Sequence, residues 1–402
     1  MKAYRLVGML SLFFFIAVGH SWATPETDWN TVLEKAKGQT VYWNAWAGDE
    51  RTNDHIAWIA DQVKIQFGVN LEHVKISNTA ESVSRVVAEK AAGRDSGGTI
   101  DMIWINGENF LSMKDKGLLL GPFTHLLPNF SLVDTKGKPA TVVDFTVPVD
   151  GLESPLFMAQ VVYVYDTARL KNPPRSIPAM LSFARLNPGR LAHPEIRNFL
   201  GSTFLKQALY ELVDDPAVLQ QEATAAMFTQ NTQKLWVWYD ALRPYLWRKG
   251  KQYPENGPAM RQLLADGEID IMISFNPAEA SSAIKNGLLP PTVRTFVLDK
   301  GTIGNASFVC IPYNAKAGEG AMVVANFILS VDAQVHAMDP NVLGMPTVLD
   351  MDKLSPEDRA KFKKLPKGIA TLSTKELGKP LLEPHPSWMN MIVSEWEKRY
   401  VR

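Results

Sequence analysis

Cysteine is nearly missing from this chain: Cys310 is the only one in 402 residues. No intramolecular disulfide can form, so the fold has to be held by its cores. Cys310 lies in the apolar run Phe308 to Ile311, where it reads as a small buried hydrophobe and a poor setting for a thiolate. Charge of one sign is missing too. Lys plus Arg and Asp plus Glu stand at 42 each, which removes the basic footprint of a general nucleic-acid binder. The seven histidines are scattered, with no HExxH helix and no close pair to hold zinc, and there is no GxSxG nucleophile elbow. The glycine-rich turn Gly93 to Gly98 lacks the lysine of a phosphate loop and leads into a strand, not a helix. Beyond the N-terminus no apolar run approaches the roughly 20 residues that span a bilayer, so no stable membrane insertion is expected.

What is present begins with a targeting segment. Lys2 and Arg5 precede an apolar run from Leu6 to Gly19, too short for a spanning helix. Ser21 and Ala23 place small residues where a signal peptidase reads, which predicts cleavage after Ala23 and a periplasmic location. A short membrane anchor is the alternative. The remaining length exceeds one ordinary hydrophobic core, so two domains are expected.

The pattern that organises the chain is a strand, a short polar break and a helix start. Thr40 to Trp46 is β-branched and aromatic, Ala47 to Asp49 break it, and Thr52, Asn53 or Asp54 can cap a helix. Ile56, Ile59, Val63 and Phe67 follow at helical spacing, and Gly68 can close the helix. The same grammar recurs at Val69 to Ala92, at Thr99 to Lys116 and at Ile269 to Lys285. Strands alternating with helices predict an α/β fold with a mainly parallel sheet in each domain. In such sheets ligands sit at the carboxyl ends of the strands, near helix starts.

Met158 to Tyr165 and Ser307 to Tyr313 read as two strands crossing between domains, a natural hinge. They divide the chain into a signal peptide 1–23, a first domain 24–157 with 314–402, and a second domain 158–313. The last amphipathic helix, Trp388 to Tyr400, is expected on the first domain. The aromatic set Trp236, Trp238, Tyr239 and Trp247 reads as core.

Two stretches carry a resemblance: Leu263 to Ala280 (LLADGEIDIMISFNPAEA) and Ser307 to Gln334, which holds a return strand, a helix and a closing Gln. With the order and spacing of the junctions, the chain resembles the periplasmic solute-binding proteins of bacterial ABC importers, in the branch of iron, thiamine and polyamine binders and its YnjB-type group. The resemblance implies two α/β domains of the type 2 periplasmic-binding fold, joined by crossing strands. It further implies a monomer that holds one small solute in the cleft and docks on an inner-membrane permease, with no cofactor, no metal and no catalysis.

On that reading the ligand groups are Trp46 and Asp49 on the first junction, Asn78 on the second, and Asn106 and Glu108 on the third. Ser202, Phe275, Asn276 and Asn305 face them from the other domain, and Gln160 stands on the crossing strand. Each has a plainer reading. Trp46 can be core, Asp49 and Glu108 helix-terminal charges, Asn106 and Asn276 turn formers, and Ser202 a cap. Aromatics with carboxylates favour a cationic or polar organic solute. The iron binders use neighbouring tyrosines, whereas Tyr163 and Tyr165 are split by Val164. Two other classes stay open: a periplasmic enzyme using cleft carboxylates, and a solute-binding sensor.

Overall fold

The computed structural model describes residues 28–401, so the expected signal peptide and its cleavage site lie outside the described residues. Strand β1 (Thr40–Trp46) buries Val41, Trp43 and Ala45, and pairs in parallel with β2 (Asn70–Ile76) and β3 (Met102–Ile105). A small hairpin, β4 (Val143–Asp144) and β5 (Val147–Pro148), follows. The first sheet is completed by β6 (Glu153–Gln160) and by β10 (Gly304–Cys310), in the order β2-β1-β3-β10-β6. Because β10 runs antiparallel to both neighbours, the other four strands share one direction.

The second sheet has β7 (Val162–Asp166) between β8 (Ile271–Ser274) and β9 (Val293–Phe296). Leu191 adds a parallel bridge to Ile271 where Arg190 to Pro194 forms no named strand. The reversed strand β7 sits in the middle, so each pair is antiparallel although β8 and β9 run the same way. Both sheets carry helices. In the first lobe the helix Glu50–Phe67 buries Ile56, Ile59 and Val63 as its spacing predicts, and Gly68 ends it in the left-handed region at φ 70°. Its cap is Asp49, ahead of the expected Thr52 to Asp54, and the Asp49 side chain accepts from Arg51 N–H.

The crossings differ in detail from the sequence reading. The first is a single residue, Val161, between β6 and β7. The second lies at 297–303, because Gly304–Cys310 pairs wholly within the first sheet. A third passage follows: Phe362 belongs to the first core, whereas Ala370 packs in the second. The final helix, Pro386–Tyr400, therefore docks on the second lobe and not the first, with Trp388, Ile392 and Trp396 buried among Phe204, Leu235 and Trp236. The reason is the area involved: an aromatic ring withdraws about 150–250 Å² from water, worth roughly 4–6 kcal/mol, and the second core offers aromatic partners. Trp236, Trp238 and Tyr239 are core there, as expected. Three extended segments lie side by side at the hinge. Val161 N–H donates to Ile303 O, and Gly304 N–H and Leu381 N–H bond Leu381 O and Thr302 O.

Candidate functional site

The two lobes enclose a cavity of about 670 Å³, a size typical of small-molecule sites. The junctions found in the sequence converge on it. From the first lobe come Trp46 and Asp49, then Asn78 and Thr79, then Asn106 and Glu108. From the second come Asn198 to Leu200 with Ser202, Gly257 with Pro258 and Arg261, and Ser274 to Asn276 with Glu279. Phe157, Ala159, Asn305 and Ser307 on β6 and β10 form its back.

Among the described residues, five helices longer than seven residues start at this gap, but their free N–H groups are largely used. Asp49, Asn78, Asn198 and Asn256 each accept from the first turn of the helix they precede. At the fifth, Gly107–Asp115, the Asn106 side chain donates to Ala306 O, and the buried Asp144 carboxylate takes Gly107 N–H at 2.5 Å. Asp144 is held by the tip of the β4–β5 hairpin, where Phe145 and Thr146 both have positive φ (44° and 72°). Two such non-glycine residues are costly. What offsets the cost is burial of the Phe145 ring, which packs on Gly107 and under the Lys206 ammonium at 4.7 Å.

The aromatic lining comprises Trp46, Trp104, Phe157, Phe199 and Phe275. Phe199 and Phe275 lie 5.2 Å apart, and Trp104 meets Phe157 edge-on at 5.3 Å. Gly48 is the platform for Trp46, since a Cβ there would overlap the indole.

Charges are grouped. Asp49 and Arg51 meet Arg261 and Glu279 on one flank. Burial pushes the Asp49 carboxyl up, but the Arg51 and Arg261 guanidiniums and the Arg51 hydrogen bonds outweigh it and hold Asp49 below its usual range. Arg197 pairs with Glu397. Behind the lining, the fully buried Lys206 ammonium bonds Glu383 at 2.7 Å, and Glu383 also accepts from Asn305 at 2.9 Å. Among the described residues, Glu108 has no cation within salt-bridge distance and only Asn109 as a side-chain partner. Burial raises its pKa, against the field of Lys206.

Residues 58–366 match the family described as bacterial extracellular solute-binding protein. The chain belongs to that family. This solute-binding protein is also 40% identical over 395 residues to Protein YnjB of Escherichia coli (strain K12), covering 98% of each chain. Its fold is similar to that of the Tp0655 (TpPotD) lipoprotein of Treponema pallidum, with a TM-score of 0.67, 13% identity, and 90% of this chain and 100% of that one covered. It is likewise similar to the periplasmic binding protein AfuA of Actinobacillus pleuropneumoniae, solved with fructose-6-phosphate bound, with a TM-score of 0.63, 15% identity, and 90% and 98% covered. Similarity at this level of identity speaks for the two-domain fold.

Of the ten residues expected in the site, Gln160 is misplaced. Strand alternation turns Ala159 and Phe157 toward the cavity and Gln160 away from it. The Gln160 amide instead stitches the hinge, donating to Thr302 Oγ1 and Leu377 O, both at 3.2 Å. The other nine line the cavity, but several are occupied. Asn276 makes the turn expected of it, accepting from Ala278 N–H and donating to Leu343 O across the lobes. Asn78 caps its helix, and Ser202 donates to Phe199 O in the first turn of its own. Trp46, Glu108 and Phe275 are partly exposed and cap no helix. Tyr163 is buried in the second core, away from the cleft.

Sequence reasoning missed Arg51, Arg261, Glu279, Lys206 and the inner face of the final helix. The Lys206 signal was there: a lone lysine inside the apolar helix Phe199–Leu212 requires a buried partner. Glu279 was visible as the early acid of its helix. The final helix was out of reach because its lobe was misassigned.

Proposed function

We propose that this protein is the periplasmic component of an ABC importer, capturing a cationic organic solute between its lobes and handing it to an inner-membrane permease. The observation that carries the cationic choice is the charge left over in the cleft. Arg51 and Arg261 are matched by Asp49 and Glu279, and Arg197 by Glu397, whereas Glu108, Glu195 and Glu255 line the cavity with no ion pair among the described residues. Rings on both walls favour the same class, since a cation over an aromatic face gains roughly 0.5–2 kcal/mol. An oxyanion on the helix starts is the weaker reading, because their donors already serve Asp49, Asn78, Asn198, Asn256 and Asp144.

The lobes we propose to move are 28–160 with 304–367, and 161–303 with 368–401. Holding a solute needs closure of these walls and no bond chemistry, so we infer a monomeric carrier, not an enzyme or a sensor. We place it in the periplasm after cleavage following Ala23. No single helix among the described residues is long and apolar enough to cross a membrane.

The test is a fluorescence titration, with Trp46 and Trp104 as reporters, against spermidine, thiamine, fructose 6-phosphate, ferric citrate and neutral sugars. Saturable binding of a cation without turnover supports the reading. Tighter binding of the phosphate overturns the cationic choice, and product formation overturns the carrier role. Mass spectrometry of the exported protein should find Thr24 as its first residue.

A further inference from the structure

The flank of the cleft formed by Asp49, Arg51, Arg261 and Glu279 does more than line it. Asp49 and Arg51 stand at the start of the helix Glu50–Phe67 in the first lobe, with Arg51 Nη2 2.9 Å from Asp49 Oδ2. Arg261 and Glu279 stand on two helices of the second lobe, 2.7 Å apart. Each lobe thus carries its own neutral pair. Across the gap, Arg51 Nη2 meets Glu279 Oε2 at 3.1 Å and Arg261 Nη1 meets Asp49 Oδ2 at 3.3 Å. Arg51 Nη1 also donates to Ser282 Oγ at 2.6 Å. The result is a ring of alternating charge, and its side chains are between 7% and 15% exposed.

We propose that Arg51 and Glu279 are positioning residues for closure, holding the two walls together through this ring before any solute is bound. The inference rests on the reading of a cleft that opens and shuts around a solute. Its physical basis is the partition of charge. Breaking a buried ion pair is costly when it strands one partner. Here opening strands none, because Asp49 keeps Arg51 and Glu279 keeps Arg261. Only the two cross-lobe contacts and the Ser282 hydrogen bond are exchanged for water. The difference between open and shut is therefore small, as a reversible latch requires. It is also sensitive to salt, because opening brings the four charges into water, where dissolved ions screen and stabilise them. The ring lines the cavity, but its charges already answer one another across the gap. It sets the fraction of molecules already closed, and so scales the affinity for neutral as well as charged solutes.

The experiment is small-angle X-ray scattering of the purified, solute-free protein at 50 mM and 1 M sodium chloride, for wild type, Glu279→Gln and Arg51→Lys. The expected result is a wild type that is compact at low salt and expands at high salt. Glu279→Gln should be expanded at both salts, and Arg51→Lys, which keeps the charge, compact at low salt. Solutes found by titration, neutral as well as charged, should bind Glu279→Gln about five- to tenfold more weakly. A wild type whose radius of gyration ignores salt overturns the latch. The wild-type salt series decides this even if a variant fails to fold. If a solute still compacts the protein in that case, the capture reading survives and only the ring is lost.

Discussion

A Cβ placed on Gly48 would lie 2.3 Å from Cζ2 of Trp46. The indole that ends β1 is laid on the backbone of the very turn that follows it. Gly48 lacks the positive φ that would exclude other residues, so Gly48→Ala is tolerated by the backbone and resisted by the ring. The substitution is expected to swing Trp46 off its platform and weaken binding of a cationic solute by roughly tenfold. The melting temperature should hardly move. Fluorescence titration beside a thermal melt checks both. Unchanged affinity would mean that Trp46 does not face the guest.

Trp46 and Phe275 are partly exposed on opposite walls. Trp46→Ala and Phe275→Ala are each expected to reduce affinity while costing little stability, because neither ring fills a closed core. Calorimetric titration and urea unfolding separate the two effects. A large stability loss with unaltered affinity would reassign the residue to packing.

Lys206 and Glu383 form a fully buried pair. Lys206→Met leaves the buried Glu383 without a countercharge, with only the Asn305 amide as partner, and is expected to cost about 3–5 kcal/mol. The double variant Lys206→Met with Glu383→Leu should recover most of that loss. Urea unfolding of wild type, single and double variants measures it. A double variant no better than the single would show that the pair contributes more than its own desolvation takes back.

The Nδ1 atoms of His55 and His336 face each other at 2.9 Å, and Trp58 stacks on His336 at 3.8 Å. One ring donates and the other accepts, and burial lowers the pKa of both, which favours the neutral pair. Burial, with His336 alongside, lowers the His55 pKa to about 3. The unfolded chain takes up a proton near pH 6.5 that the fold refuses until about pH 3. The stability from His55 is thus complete above pH 6.5 and is lost as pH falls through that window, by up to about 1.4 kcal/mol per pH unit. Urea unfolding at pH 7, 6 and 5 is expected to show a steeper decline for wild type than for His55→Phe, which keeps the stack without the titration. Equal slopes would remove His55 as the cause.

Much of the first lobe was legible because its signals are local. Ile56, Ile59 and Val63 declare a helix by spacing, Gly68 ends it, and the Asn78 and Asn106 junctions mark where strands give way to helix starts. Those junctions reach the cleft because a parallel sheet brings its strand ends to one edge. Gln160 was misread because its face depends on register, and a shift of one residue reverses every side chain of a strand. The ring around Arg51 joins residues more than 200 positions apart, and no spacing rule spans that distance. The final helix is amphipathic, but amphipathy names a face and not the surface it will meet.

That helix closes the second lobe, while Phe362 and its neighbours close the first. Neither half can complete its interior until synthesis has nearly finished. A nascent chain of this protein is therefore expected to lack a finished core in either lobe for most of its length, as suits a member of an extracellular family.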